Sequence, residues 1–90
     1  MLTLPPVLTH AVASDFARGL QQAVQAQTGA VVADASALRQ FDSSALAVLM
    51  ECHRQALAAG KTFSVQGTPA RLRELATLYG VAELIPAAPA

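Results

Sequence analysis

Ninety residues allow one domain with one modest core, because so short a chain has too little apolar surface to divide between two. Six Lys and Arg balance six Asp and Glu, which leaves neither a basic footprint for nucleic acid nor a polybasic patch for a membrane surface. A single cysteine, Cys52, excludes an intrachain disulfide and fits a reducing compartment, and with no secretory leader pattern in Met1 to Pro6 and no apolar run near the roughly 18 residues of a membrane span, a cytoplasmic chain without direct membrane insertion is expected.

Leu2 to Thr9 predicts a short first strand interrupted by Pro5 and Pro6, which confine it to a sheet edge. From about Val12 the stripe Val12, Phe16, Leu20, Ala23 and Val24 predicts one helix, closed by Gly29. Ala30 to Asp34 is a continuously apolar segment that suits a central strand covered or paired on both sides. A second helix starts at Asp42 or Ser43 and stops at Gly60, with Leu46, Leu49, Cys52, His53, Ala56 and Leu57 on its core stripe. Its opposite face carries Ser44, Ala47, Val48, Glu51, Arg54 and Gln55. Lys61 to Val65 alternates like a strand, and Thr68 followed by Pro69 predicts an N-cap with proline at the first helical position. Leu72, Leu75, Ala76 and Tyr79 define a third helix, which Gly80 ends with Val81 as the accompanying apolar contact. Val81 to Ile85 reads as a last short strand, and residues 87–90 as a frayed tail beyond a single domain spanning 1–86. Strand and helix alternate throughout, which predicts an α/β fold: a small mixed β-sheet with about three helices packed on it.

Asp42, Ser43 and Ser44 open the second helix, where backbone N–H groups lack helical partners and the dipole is positive. Their ordinary role is capping, at about 1 kcal/mol. The helix face beyond the cap is less ordinary, because a solvated face usually carries more charge than Ser44, Ala47 and Val48 provide. Small side chains there let another backbone approach closely, with Val48 as an apolar anchor and Glu51 and Arg54 as a polar rim. The hydrophobic content of 53%, mostly alanine spread along helices, also suggests a surface partly covered by another protein.

A hydrolase triad is poorly supported. His53 falls on the core stripe, His10 stands at the entrance to the first helix, and there is no nucleophile elbow. One cysteine and two distant histidines have no metal-ligand spacing, and no glycine-rich phosphate loop is present, so no catalytic residue, metal or cofactor is assigned. Asp34, ending the central strand, is read as a structural hydrogen-bonding residue.

Asp34-Ala35-Ser36 followed by Phe41-Asp42-Ser43-Ser44-Ala45-Leu46-Ala47-Val48-Leu49 resembles the signature of STAS domains, the fold of anti-sigma-factor antagonists, over about Val7 to Ile85. Within that family, Leu75 to Ile85 and the short N-terminus are most similar to the small STAS subunit of Mla-type phospholipid transporters. The resemblance implies a non-enzymatic subunit that binds the ATPase of an ABC transporter at the inner membrane and supports its activity in lipid asymmetry, with ATP belonging to the partner. It also implies an alternative, an antagonist that binds an anti-sigma factor kinase. Ser44 matches the serine phosphorylated in such antagonists, and Ser43 the hydroxyl residue that follows the aspartate, here Asp42. Ala45 and Ala47 stand where antagonists usually have glycine. Alanine favours helix by about 1 kcal/mol per site, so the first turn here is expected to be firmer and less able to remodel than a phosphoswitch needs.

Overall fold

Alternation of buried and half-exposed residues places the sheet. The computed structural model describes residues 1–88, and in it Ala30–Asp34 and Thr62–Gln66 form β3 and β5, each with two buried residues pointing to one face, Val31 and Ala33 on β3 and Phe63 and Val65 on β5. Val32 and Ser64 between them are half-buried. The apolar run of β3 is thus paired on both sides but fully covered on one face only. β1, Leu2–Thr3, pairs with β3 through Leu2 opposite Ala33, and β5 pairs with the other side of β3 through Val31 opposite Phe63. The order is β1-β3-β5. Pro5 and Pro6 lead the chain off this edge, and Val7–Leu8, β2, then pairs with Gln40–Phe41, β4, in a separate two-stranded ladder. Every described pairing is parallel, so the α/β class is as expected and the sheets are parallel rather than mixed.

Four α-helices take the place of three, because the first expected helix is two. α1 spans His10–Arg18 and α2 spans Leu20–Ala26, with the break at Gly19, where the helix can bend at low steric cost. The bend lets Leu20 and Val24 bury completely while α1 contributes only partly buried Ala13 and Phe16. α2 ends under a cation: Lys61 Nζ donates to the carbonyls of Val24 at 2.9 Å, Gln25 at 3.2 Å and Gln27, satisfying acceptors that the helix end leaves open.

α3, Ser43–Ala58, is the central helix and packs on β5, α1 and α2. Its buried residues are Ala45, Leu46, Val48, Leu49, Cys52 and Ala56. Two expectations change here. Val48, placed on the outer face by sequence, is 4% exposed, and Leu57, placed on the core stripe, is 62% exposed. The buried arc is rotated toward Val48 because α1 lies over that side. Burial pushes the Cys52 thiol up to about 11, which keeps it protonated and unreactive. His53 stacks on Phe63 with ring centroids 5.1 Å apart, and its Nδ1 lies 2.8 Å from the Leu84 carbonyl oxygen, where the Nδ1–H tautomer donates. That is a structural histidine.

α4 spans Ala70–Leu78, with Pro69 in the cap position rather than one residue inside, so the helix starts one residue later than the sequence signal. At its end Gly80 adopts φ +71°, Gly80 N donates to Thr77 O at 3.1 Å and Val81 N to Ala76 O at 2.8 Å. This is the glycine stop expected from sequence, with Val81 packed against the core. The same stop turns the chain back sharply, and Ala82–Leu84 forms a 3₁₀ turn instead of the expected last strand. Ile85 is buried at 7% exposure. The strand-like pairing comes later: Val65 N donates to Pro86 O at 2.8 Å and Ala88 N to Val65 O at 2.9 Å, so the expected tail is engaged on the outer edge of β5 through Ala88. The rest of the expected tail, residues 89–90, lies outside the described residues.

Candidate functional site

β2 runs into α1 and β4 runs into α3, so the parallel pairing of Val7 with Gln40 and Leu8 with Phe41 starts both helices side by side. Between them lies an open groove of about 250 Å³. α3 contributes Ser44, Ala47, Val48 and Glu51 to it, and α1 contributes His10, Ala13, Ser14 and Ala17. Alanine and serine make up most of the lining, which allows a partner's backbone or small residues to approach both helices closely.

Asp42 stands at the mouth. It is the N-cap of α3, accepting from Ser44 N at 2.8 Å through Oδ1, and its Oδ2 accepts from His10 N at 3.0 Å. These donors, His10 N–H first and then Ser44 N–H, hold the Asp42 carboxyl below the usual carboxylate range. The capping role read from sequence is therefore present, with a second helix added to it. Ser43 is exposed and Ser44 half-buried at the first turn. Ala47 is exposed on the groove, whereas Val48 is its buried floor and cannot be an anchor offered to a partner.

Glu51 lines the groove and pairs with Arg54, which stands outside its lining. Arg54 Nε donates to both Glu51 oxygens at 3.1 and 2.9 Å, its Nη2 also reaches Oε1, and Gln55 Nε2 donates to Oε1 at 3.1 Å. The Arg54 hydrogen bonds, followed by the Gln55 amide, hold the Glu51 carboxyl down to about 2. A depressed carboxylate contributes stability that is fully present above its ordinary value of 4.5 and is lost as pH falls through about 2. The contribution is small, because the Glu51 and Arg54 side chains are 38% and 67% exposed and water screens the pair. The Glu51 carboxyl should titrate near 2 by ¹³C NMR, and Arg54→Ala should move the midpoint up toward 4.5; an unchanged midpoint in the variant would remove Arg54 as the cause.

Asp34 is held by its own loop: Oδ1 accepts from Ser36 N at 3.0 Å, and the Ser36 hydroxyl and N–H keep its carboxyl low. This loop meets the β5–α4 loop, where Gly67 takes φ +67° against Ser36. His53 contacts Phe63 and Leu84 and does not join the serines. Among the described residues no group of three or more His, Cys, Asp and Glu residues could hold a metal ion. The α1 wall of the groove escaped the sequence reading. Its signal was there, since Ala13, Ser14 and Ala17 repeat the low charge of the α3 face, but only the β2–β4 pairing brings the two faces together.

A parallel-sheet α/β domain whose candidate site is a shallow, small-residue groove has the form of a protein-interaction module. The chain belongs to the STAS domain family: the family profile described as "Mlab, STAS domain" matches residues 1–86. Among solved structures it is similar to a crystal structure described as a putative anti-sigma factor antagonist from Thermotoga maritima, with a TM-score of 0.77 and 13% identity, over 97% of this chain and 76% of that one. At that identity the likeness is one of fold. No curated protein matches the sequence. No described helix is long and apolar enough to cross a membrane.

Proposed function

We propose that this chain is the non-enzymatic STAS subunit of a Mla-type ABC phospholipid transporter, bound to the transporter's ATPase on the cytoplasmic side of the inner membrane and supporting its role in lipid asymmetry. The observation that carries the reading is the groove between α1 and α3, with Ser44 and Ala47 on its wall and the Glu51–Arg54 pair at its boundary, in a chain whose family profile is described by the name MlaB. In this reading Asp42, Ser43, Ser44, Ala47, Glu51 and Arg54 face the ATPase or shape the surface that does, and Val48 supports them from below. The bound ATPase brings the nucleotide, and the STAS chain holds it in its working assembly.

Co-expression with the Mla-type ATPase from the same genome should give a complex that survives size exclusion. Intact-mass analysis of the subunit from its native cells separates this reading from the antagonist alternative. An unmodified chain recovered with the ATPase supports the transporter subunit. A condition-dependent phosphate on Ser44, with an anti-sigma factor kinase in place of the ATPase, would replace it. The capped first turn favours the fixed contact, because a phosphate on Ser44 would place negative charge beside the Asp42 carboxylate that already accepts from Ser44 N.

A further inference from the structure

We infer that Asp42 is the positioning residue of the α1–α3 groove: its single carboxylate joins the N-termini of both helices and so sets how far apart the groove walls stand. This role rests on the proposed function for the identity of the partner. The N-cap of α1, Thr9, makes no side-chain capping bond, although threonine is a residue that commonly makes one. The open N–H of His10 is instead satisfied from 32 residues away by Asp42 Oδ2 at 3.0 Å. The other oxygen, Oδ1, caps α3 through Ser44 N at 2.8 Å. His10 and Ser44, the two donors, both line the groove.

Only a carboxylate can do this from one side chain of this length. Asparagine has one acceptor oxygen and would turn an NH₂ donor toward one of the two N–H groups, and serine has a single oxygen. The β2–β4 ladder brings the two helix starts together, and the carboxylate then fixes the last connection between them. Farther along, Ala13 and Ala17 on α1 and Ala47 on α3 line the groove above buried Val48, and none of them offers a polar side-chain contact between the walls. The charge-assisted bond at the mouth adds a directional tie to that packing.

The test compares the wild-type chain with Asp42→Asn and Asp42→Ser, alone and with the ATPase. Both substitutions keep a favoured N-cap for α3, so urea unfolding should remain cooperative and the Ser44 amide should stay protected. In the isolated variants, hydrogen exchange at the His10 amide should accelerate by about tenfold or more, the loss expected for a hydrogen bond to a charged group. Amide shifts should change along Ala13 and Ala17, and ATPase affinity should fall by roughly tenfold as the walls lose their register. Unchanged His10 exchange overturns the inference, whatever the affinity does. Accelerated His10 exchange with wild-type affinity overturns the positioning role. Failure of the wild-type chain to bind the ATPase removes the transporter reading, and the His10 exchange in the isolated chain then decides the connection between the helices independently.

Discussion

Ala47→Arg is expected to abolish ATPase binding while leaving the domain folded. Ala47 is exposed on the groove wall, so arginine at this position meets no core atom and the change in stability should stay within about 0.5 kcal/mol. The same side chain would project a long charged group into a groove of about 250 Å³ whose other wall is built from Ala13, Ser14 and Ala17. A partner seated close to both helices must then retreat or bury an unpaired cation. Affinity should fall by roughly 100-fold or more, the range of a substitution at the centre of an interface. Calorimetric titration measures the loss, and circular dichroism with urea unfolding checks the fold. Ala58→Arg, exposed on the same helix but outside this groove, is the matched control and should bind nearly as wild type. A folded Ala47→Arg variant that still binds would move the partner surface off the groove.

Gly67→Ala should be the most damaging single-methyl substitution at the sheet's carboxyl end. The residue has φ +67°, and an added Cβ would stand 2.8 Å from Ser36 Cβ and 3.0 Å from both Ser36 Cα and Ser36 N. Ser36 cannot withdraw easily. Its N–H is bonded to Asp34 Oδ1 at 3.0 Å, and the preceding Ala35 N donates to Gln66 O at 2.9 Å, next to Gly67 itself. Left-handed strain of about 1–2 kcal/mol and overpacking of about 1–3 kcal/mol combine to roughly 3 kcal/mol. In a domain of this size that lowers Tm by about 12–24 °C. Gly80→Ala isolates the strain alone, because Gly80 has φ +71° and a methyl added there would meet no atom within 4 Å, and it should cost only about 1–2 kcal/mol. Equal losses for the two variants, measured by urea unfolding, would show that Ser36 gives way.

The α/β class and the longer regular elements were legible because they repeat a period, and the family through the resemblance carried by Asp34 to Ser36 and Phe41 to Leu49. α3, β3 and β5 carry enough residues for apolar spacing to be read, and the stop at Gly80 with Val81 uses a local chemistry that needs no tertiary context. What escaped was what depends on a neighbour. Val48 and Leu57 both lie near the border of the α3 stripe, and the position of α1, which α3's own residues do not encode, decides that Val48 is covered and Leu57 is not. β2 and β4 have two residues each, too few for alternation to register, yet their pairing creates the groove. Asp42 was legible as the cap of α3, whereas its bond to His10 joins residues 32 apart in the chain and has no sequence signature. The expected final strand failed for a local reason, since the turn after Gly80 tightened into a 3₁₀ segment before the chain reached the edge of β5.

The parallel pairing has a consequence for biosynthesis. None of the described strand pairs can form as a hairpin while the chain emerges from the ribosome. Leu2–Thr3 appears first and waits for Ala30–Asp34, which in turn waits for Thr62–Gln66, and the outer edge of that last strand is met only by Pro86 to Ala88. Each pairing must close a long loop before it gains any contact, a topology that folds slowly for its length. The helices can form locally in the meantime, but the nascent chain keeps unpaired strand edges until Pro86 to Ala88 have emerged. The β2–β4 pair that launches both groove walls is complete in sequence by Phe41, whereas the outer edge of β5 is covered only when Pro86 to Ala88 follow.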